Sequence, residues 1–241
     1  GLLVFPVAVI FGFLLSTFWG LIPAYVKIKR GVSEVITTIM LNFISLALIN
    51  YLLIEFLAVK STVRTEKILD YVSIPQLSDY FETFQGSSVN ITFIFAILLA
   101  AVTYLIFYKT RFGYKLRAVG LNPKASKYLG INSDRMIVIS FMIGAGITSL
   151  VGLNFVFGYK GYYEYGFSNN IGFTAIAVTL LAKNNPIGII FTSLLFGVMD
   201  YGGLAVNTIV PKEIMLVFQA LVILSILSFD RLVKVYYLKE S

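Results

Sequence analysis

The sequence predicts an all-α fold: a polytopic transmembrane helical bundle of about seven spans, with a cytoplasmic carboxy terminus. Three observations carry this. The 241-residue chain is 58% hydrophobic and only 13% charged, with a mean hydropathy of +0.87, outside the range of a soluble globular domain. Its apolar residues fall in blocks whose helical length suits a hydrocarbon core about 30 Å thick. Its cations gather at alternate block ends, as expected when positive charge is retained during insertion. The formal charge of +7 therefore reads as a topology signal, not as a nucleic-acid footprint. Cysteine and histidine are both absent, which excludes disulfides, thiolate nucleophiles and imidazole metal sites.

The spans follow in order. The first, about residues 1–26, opens inside an apolar run with no initial methionine, charged leader or cleavage site. The chain is thus expected to be the carboxy-terminal part of a longer protein, forming one transmembrane domain over 1–241. Lys27, Lys29 and Arg30 mark the inside. The second span runs from Val32 to Val59. The polar segment Lys60–Asn90, with three Lys/Arg and four Asp/Glu, reads as external. The third, Ile91–Tyr108, returns to a basic loop at 109–135, and the fourth is Met136–Phe157. Tyr159, Tyr162, Tyr163, Tyr165 and Phe167 then suit an interfacial aromatic belt. Two shorter runs, Ile171–Ala182 and Ile187–Gly202, flank Lys183-Asn184-Asn185-Pro186. Twelve helical residues rise only about 18 Å, so these are either full spans with misplaced ends or half-helices re-entering from one face. The last span is Ile214–Phe229, with Arg231, Lys234 and Lys239 inside; on this topology 14 Lys/Arg lie inside and five outside.

The loop 109–135 holds seven Lys/Arg against one acid, Asp134. Within it lies a short-helix signature: Asn122 to cap, Pro123 at the first position, Lys124 to Leu129 to turn, and Gly130 to close in the left-handed conformation. The pattern fits a handle for a soluble partner and, equally, a solvated connector that only sets orientation. Gly144, Thr148 and Gly152 form a small-residue stripe that suits close helix packing. Polar groups inside spans are costly, and each is a functional candidate: Glu34 and Glu55 near the ends of the second span, Asn42 within it, Asn154 in the fourth, then Asp200 and Gln219. The usual acid–histidine parts of a proton relay are scarce, and no G-x-x-x-x-G-K-[ST] phosphate loop occurs. If ATP drives this protein, another chain hydrolyses it.

Trp19-Gly20-Leu21-Ile22-Pro23 and SEVITTIMLNF (Ser33–Phe43), then RAVGLNPKASKYLGIN (Arg117–Asn132), GFTAIAVTLLAKNNPIG (Gly172–Gly188), LLFGVMDYGG and VPKEIMLVFQALVIL, stand in one order along nearly the whole chain. Together they resemble the permeases of bacterial ATP-binding-cassette importers for nucleosides and simple sugars, nearest to those serving basic-membrane-protein-type purine nucleoside receptors. The chain departs from many relatives at Ala182-Lys183, beside the Asn-Asn-Pro segment. The resemblance implies a non-enzymatic transport subunit of the bacterial cytoplasmic membrane, in which Asn122, Pro123, Lys124, Ala125, Ser126, Lys127, Tyr128, Leu129 and Gly130 form the coupling helix. It implies membrane lipids around the chain and three partners: a second permease subunit, identical or homologous; a cytoplasmic ATPase carrying ATP and Mg; and an external substrate-binding lipoprotein. No nucleic acid and no cofactor of this chain's own are expected. A nucleoside needs hydrogen bonds for its ribose and a flat surface for its base, which makes Asn42, Phe43, Asn154, Phe155, Asp200 and Tyr201 the expected substrate path. The alternatives are a ribose-type sugar permease and, further off, an ion-coupled secondary transporter.

Overall fold

Twenty-seven residues without an acid in their first turn form helix α1 (Val4–Arg30), about 40 Å long at the usual rise. The structure, a computed structural model, describes residues 4–69, 72–80, 82–168, 171–206, 214, 216–225 and 228. Gly31 takes φ +65° and turns the chain into α2 (Glu34–Leu52). Across that turn Lys27 Nζ meets a Glu34 carboxylate oxygen at 2.7 Å, so the acid at this span end has its cation beside it. Helix α2 runs out through a π-helical stretch, Leu53–Leu57. Then come α3 (Thr92–Lys109), α4 (Arg111–Leu121), α5 (Pro123–Tyr128) and α6 (Ser133–Leu153). Helix α6 widens into a π-helical end, Asn154–Lys160, that stops at Gly161 with φ +76°. Helices α7 (Ile171–Leu181), α8 (Pro186–Ala205) and α9 (Leu216–Ser225) complete the described order.

Among the described residues five helices are long and apolar enough to cross a membrane, and α7 and α9 are shorter apolar helices. The seven apolar runs read from sequence thus recur as seven apolar helices in the same order. Helix α8 begins at Pro186 and reaches Ala205, so its 20 residues rise about 30 Å, a full bilayer core rather than half. The carboxy end of the last predicted span, Phe229, with Arg231, Lys234 and Lys239, lies outside the described residues. None of α3's most apolar window is buried, and only 6–11% of the corresponding windows in the other long helices is. Such outward apolar faces are what a hydrocarbon solvent accepts and water does not.

The chain forms two compact units, Gly1–Ala96 with Ile106–Phe167, and Ile97–Leu105 with Ser168–Ser241. In the first, α1 lies along α6 through small residues. A β-carbon on Gly20 would stand 2.6 Å from Ala145 Cβ and 3.0 Å from the Phe141 carbonyl oxygen, and one on Gly146 would stand 2.5 Å from the Phe13 ring. Thr17 Oγ1 donates to the Met142 carbonyl at 3.3 Å. The predicted Gly144–Thr148–Gly152 stripe does not make this contact. A β-carbon on Gly144 would meet nothing within 4 Å, one on Gly152 only the Phe167 ring at 4.0 Å, and Thr148 bonds its own helix at Gly144. The close approach lies on the neighbouring face, two residues along.

The segment after α2 is tied onto the segment after α6. Thr65 N donates to Tyr163 O at 2.9 Å, Tyr165 N to Val63 O at 3.0 Å, and Ile68 N to Gly161 O at 2.7 Å. Arg64 stacks over Tyr162 with 5.0 Å to the ring centroid, while Tyr163 and Phe167 meet edge to face at 5.0 Å. Burial there pushes the Tyr163 phenol above its usual range. In the second unit, Lys183 and Asn184 take positive φ, 52° and 57°, to reverse the chain. Asn185 Oδ1 then accepts from Ile187 N at 2.9 Å and Gly188 N at 3.4 Å to start α8.

Candidate functional site

Within the basic loop the chain builds two helices, where the sequence reading expects one. Thr110 Oγ1 accepts from Gly113 N at 3.1 Å and caps α4. A β-carbon on Gly113 would stand 2.2 Å from the Ile106 carbonyl oxygen, so α4 turns sharply off the last turn of α3 and only glycine fits the corner. The signal for α4 was present: a Thr cap, then Phe112, Leu116 and Val119 at helical spacing. The loop's many cations hid that stripe.

Helix α5 has the local geometry its residues predict. Asn122 lies extended, and its Oδ1 accepts from Lys124 N and Ala125 N, both at 3.0 Å. Pro123 occupies the first turn. At the far end Gly130, φ +73°, sends N–H to Lys127 O at 3.0 Å while Ile131 N–H reaches Ser126 O at 3.0 Å, the paired closure of a Schellman motif. Ser126 and Ser133 are buried. Ser126 Oγ donates to Asn122 O at 3.0 Å, and Ser133 Oγ donates to Pro123 O at 2.8 Å, which fastens α5 to the start of α6. Asn132 in turn caps α6 by accepting from Arg135 N at 3.0 Å. With six residues held by caps and buried serines, α5 is positioned rigidly. Around it Leu121, Tyr128 and Leu129 are 88%, 93% and 67% exposed.

A second site lies in the first unit between α1, α2 and α6. An open pocket of about 500 Å³ is lined by Trp19 and Phe141, the side chains of Thr38, Asn42, Ser45 and Ser140, and apolar neighbours. Ser45, Ser140 and Thr38 donate their hydroxyls to carbonyls of their own helices. Their oxygen lone pairs stay available as acceptors. Trp19 and Phe141 supply flat walls that sequence reasoning did not single out.

The other expected path residues lie elsewhere. Phe43 follows Asn42 by one helical position and is 63% exposed, outside the pocket lining. Asn154 accepts from Asn90 Nδ2 at 2.9 Å and Thr92 Oγ1 at 2.8 Å, while the same Asn90 nitrogen donates to Gly158 O at 2.9 Å. This clamp ties the start of α3 to the end of α6 through the Asn154 side-chain oxygen. Phe155 meets the Tyr159 and Phe167 rings at a tilt, with centroids 5.9 and 5.0 Å away. Asp200 and Tyr201 belong to the second unit. There Gln219 Nε2 donates to Asp200 Oδ1 at 2.6 Å, and Tyr201 is exposed. Among the described residues no cluster of three acids could hold a metal ion.

A family profile described as branched-chain amino acid transport system, permease component, matches residues 1–227. The nucleoside ABC transporter permease protein NupB of Lactococcus lactis subsp. cremoris is 35% identical over 230 residues, 92% of this chain and 63% of that protein. The guanosine ABC transporter permease protein NupP of Bacillus subtilis is 32% identical over 234 residues, 92% of this chain and 64% of the other. A glucose ABC transporter permease protein of Haloferax volcanii is 27% identical over 223 residues, 89% and 59% respectively. The chain thus spans less than two thirds of each of these relatives. No solved structure matches it significantly.

Proposed function

Because the chain belongs to the permease-component family of the branched-chain amino acid transport system, we propose that it is the transmembrane subunit of an ATP-binding-cassette importer that moves nucleosides, purine nucleosides first, across the bacterial cytoplasmic membrane. The relatives named for nucleoside and guanosine transport support the substrate class. The glucose permease relative favours a sugar as the second reading. Both solutes present ribose-like hydroxyls, and the base-sized flat walls of Trp19 and Phe141 favour the nucleoside.

The observation that carries the coupling reading is α5: a helix capped at both ends, fastened to α6, and surrounded by exposed Leu121, Tyr128 and Leu129. Exposed apolar side chains on a rigid support are what a protein partner buries. A cytoplasmic ATPase docks there, and ATP and Mg reside on it. A second permease subunit, identical or homologous, encloses the path, and an external lipoprotein delivers the solute. Two ATPases closing on ATP draw their coupling helices together and turn the path from outside-facing to inside-facing. Both ligands bias one pair of states, so receptor binding outside must alter ATP turnover inside.

The test is reconstitution of the full-length permease with its ATPase in liposomes, with loaded receptor on one side. Uptake is expected to require ATP and to survive collapse of ion gradients. Uptake without ATP that stops when an ion gradient is dissipated would restore the secondary transporter. The pocket is tested in the same vesicles. Asn42→Ala is expected to lower nucleoside uptake a few-fold, because a receptor-fed importer needs only a weak transient site and one neutral hydrogen bond contributes about 1 kcal/mol. Unchanged rate and selectivity in Asn42→Ala combined with Trp19→Leu would remove the pocket from the path.

A further inference from the structure

We propose that a basic hollow between the end of α3 and the first turns of α4 binds the phosphodiester headgroup of an anionic phospholipid. The hollow is about 660 Å³, and Lys109, Arg111, Lys115 and Arg117 line it beside Tyr108 and Tyr114, with no acid among the lining residues; Leu129, which also lines it, is shared with the surface offered to the ATPase. Among the described residues none of these four cations makes an ion pair. The loop's one acid, Asp134, faces Lys127 at 3.7 Å instead. Arg111 and Lys115 stand one helical turn apart, a like-charge spacing that destabilises a helix unless an anion offsets it.

Depth then selects the anion. Lys109 is the last residue of α3, whose most apolar window has no buried residue, so acyl chains can lie along that helix up to this point. Gly113 presses α4 against the Ile106 and Phe107 carbonyls, which holds Arg111 and Lys115 level with the last turn of the span. Arg117 is steadied over the Tyr108 ring at 4.9 Å, and tyrosines at this depth suit the headgroup layer. A basic pocket that opens at a span end beside lipid-facing helix has the makings of a headgroup site. A soluble phosphate would find the same cations but gain nothing from the lipid-facing wall. This inference needs only the membrane embedding, so it stands or falls apart from the nucleoside reading.

The full-length permease, extracted from phosphatidylcholine vesicles with roughly 20% phosphatidylglycerol, is analysed by native mass spectrometry for retained lipid. Wild type is expected to retain phosphatidylglycerol over phosphatidylcholine. Arg111→Gln with Lys115→Gln should weaken that retention about thirtyfold, the effect of removing two surface cations. The charge-keeping pair Arg111→Lys with Lys115→Arg should retain it, and this variant reads the site even if the glutamine variant misfolds. Lys124→Gln with Arg135→Gln, an equal charge change outside the hollow, should leave retention unchanged. Equal losses in the two glutamine variants would reduce the effect to general charge and overturn the site. Displacement of the lipid by excess inorganic phosphate would overturn the lipid assignment in favour of a free-anion site.

Discussion

Gly130→Val is expected to lower receptor-stimulated ATP hydrolysis by about tenfold or more, while leaving membrane insertion intact. Gly130 holds φ +73°, which costs a residue with a side chain about 1–2 kcal/mol and is an outlier for a β-branched one. A β-carbon there would meet nothing within 4 Å, so the substitution introduces backbone strain without a clash. That strain falls on the two closing hydrogen bonds, Gly130 N–H to Lys127 O and Ile131 N–H to Ser126 O. Opening them frees the end of α5 that carries Tyr128 and Leu129. Gly130→Asn is the matched rescue, because asparagine tolerates the left-handed region; it should restore most of the coupling. Tyr128→Ala removes the most exposed of the three apolar side chains without touching the fold, and should uncouple as strongly. If Gly130→Val and Tyr128→Ala both keep normal stimulated hydrolysis, α5 is a connector and not the handle.

The parts of this arrangement that sequence made legible are those written in neighbouring residues. An asparagine before a proline, with glycine seven positions after the proline, specifies a helix capped at both ends whatever surrounds it. The same Asn-Pro device recurs at Asn185-Pro186 and starts α8. Apolar block lengths likewise gave the helices in order, since the bilayer fixes that length from outside the protein. What stayed hidden depends on which residues meet across the fold. Asn42 lines the pocket beside Leu41, whereas Phe43, turned about 100° further round the helix, points away from it. Asn154 reads in sequence as an isolated polar group in a span, and nothing local announces that its side-chain oxygen has partners in Asn90 and Thr92, more than 60 positions away. Trp19, Thr38 and Phe141 come from three separate helices, and no spacing rule joins them.

The small residues of α6 show the same limit and give the last expected result. Gly146→Val and Gly20→Val should each lower the thermal midpoint of the purified full-length protein by roughly 5 °C, while Gly144→Val should change it little. Lipid tails are as apolar as leucine, so α1 and α6 gain nothing by hiding apolar surface from one another. They associate because their backbones come close enough for dense van der Waals contact, and a side chain at the contact point forfeits that. At Gly146 the added carbon would sit 2.5 Å from the Phe13 ring, and at Gly20 it would sit 2.6 Å from Ala145 Cβ and 3.0 Å from a backbone oxygen that cannot step aside. Overpacking of this kind costs about 1–3 kcal/mol. Gly144 lies two residues from Gly146 with open space over it and lines the pocket, as Gly20 also does, so the Gly144 valine should tell in uptake rather than in melting and the Gly20 valine in both. Size-exclusion thermostability of the three variants, read beside nucleoside uptake, separates the two faces. Equal melting of Gly144→Val and Gly146→Val would mean that the α1–α6 seam is not where these glycines place it.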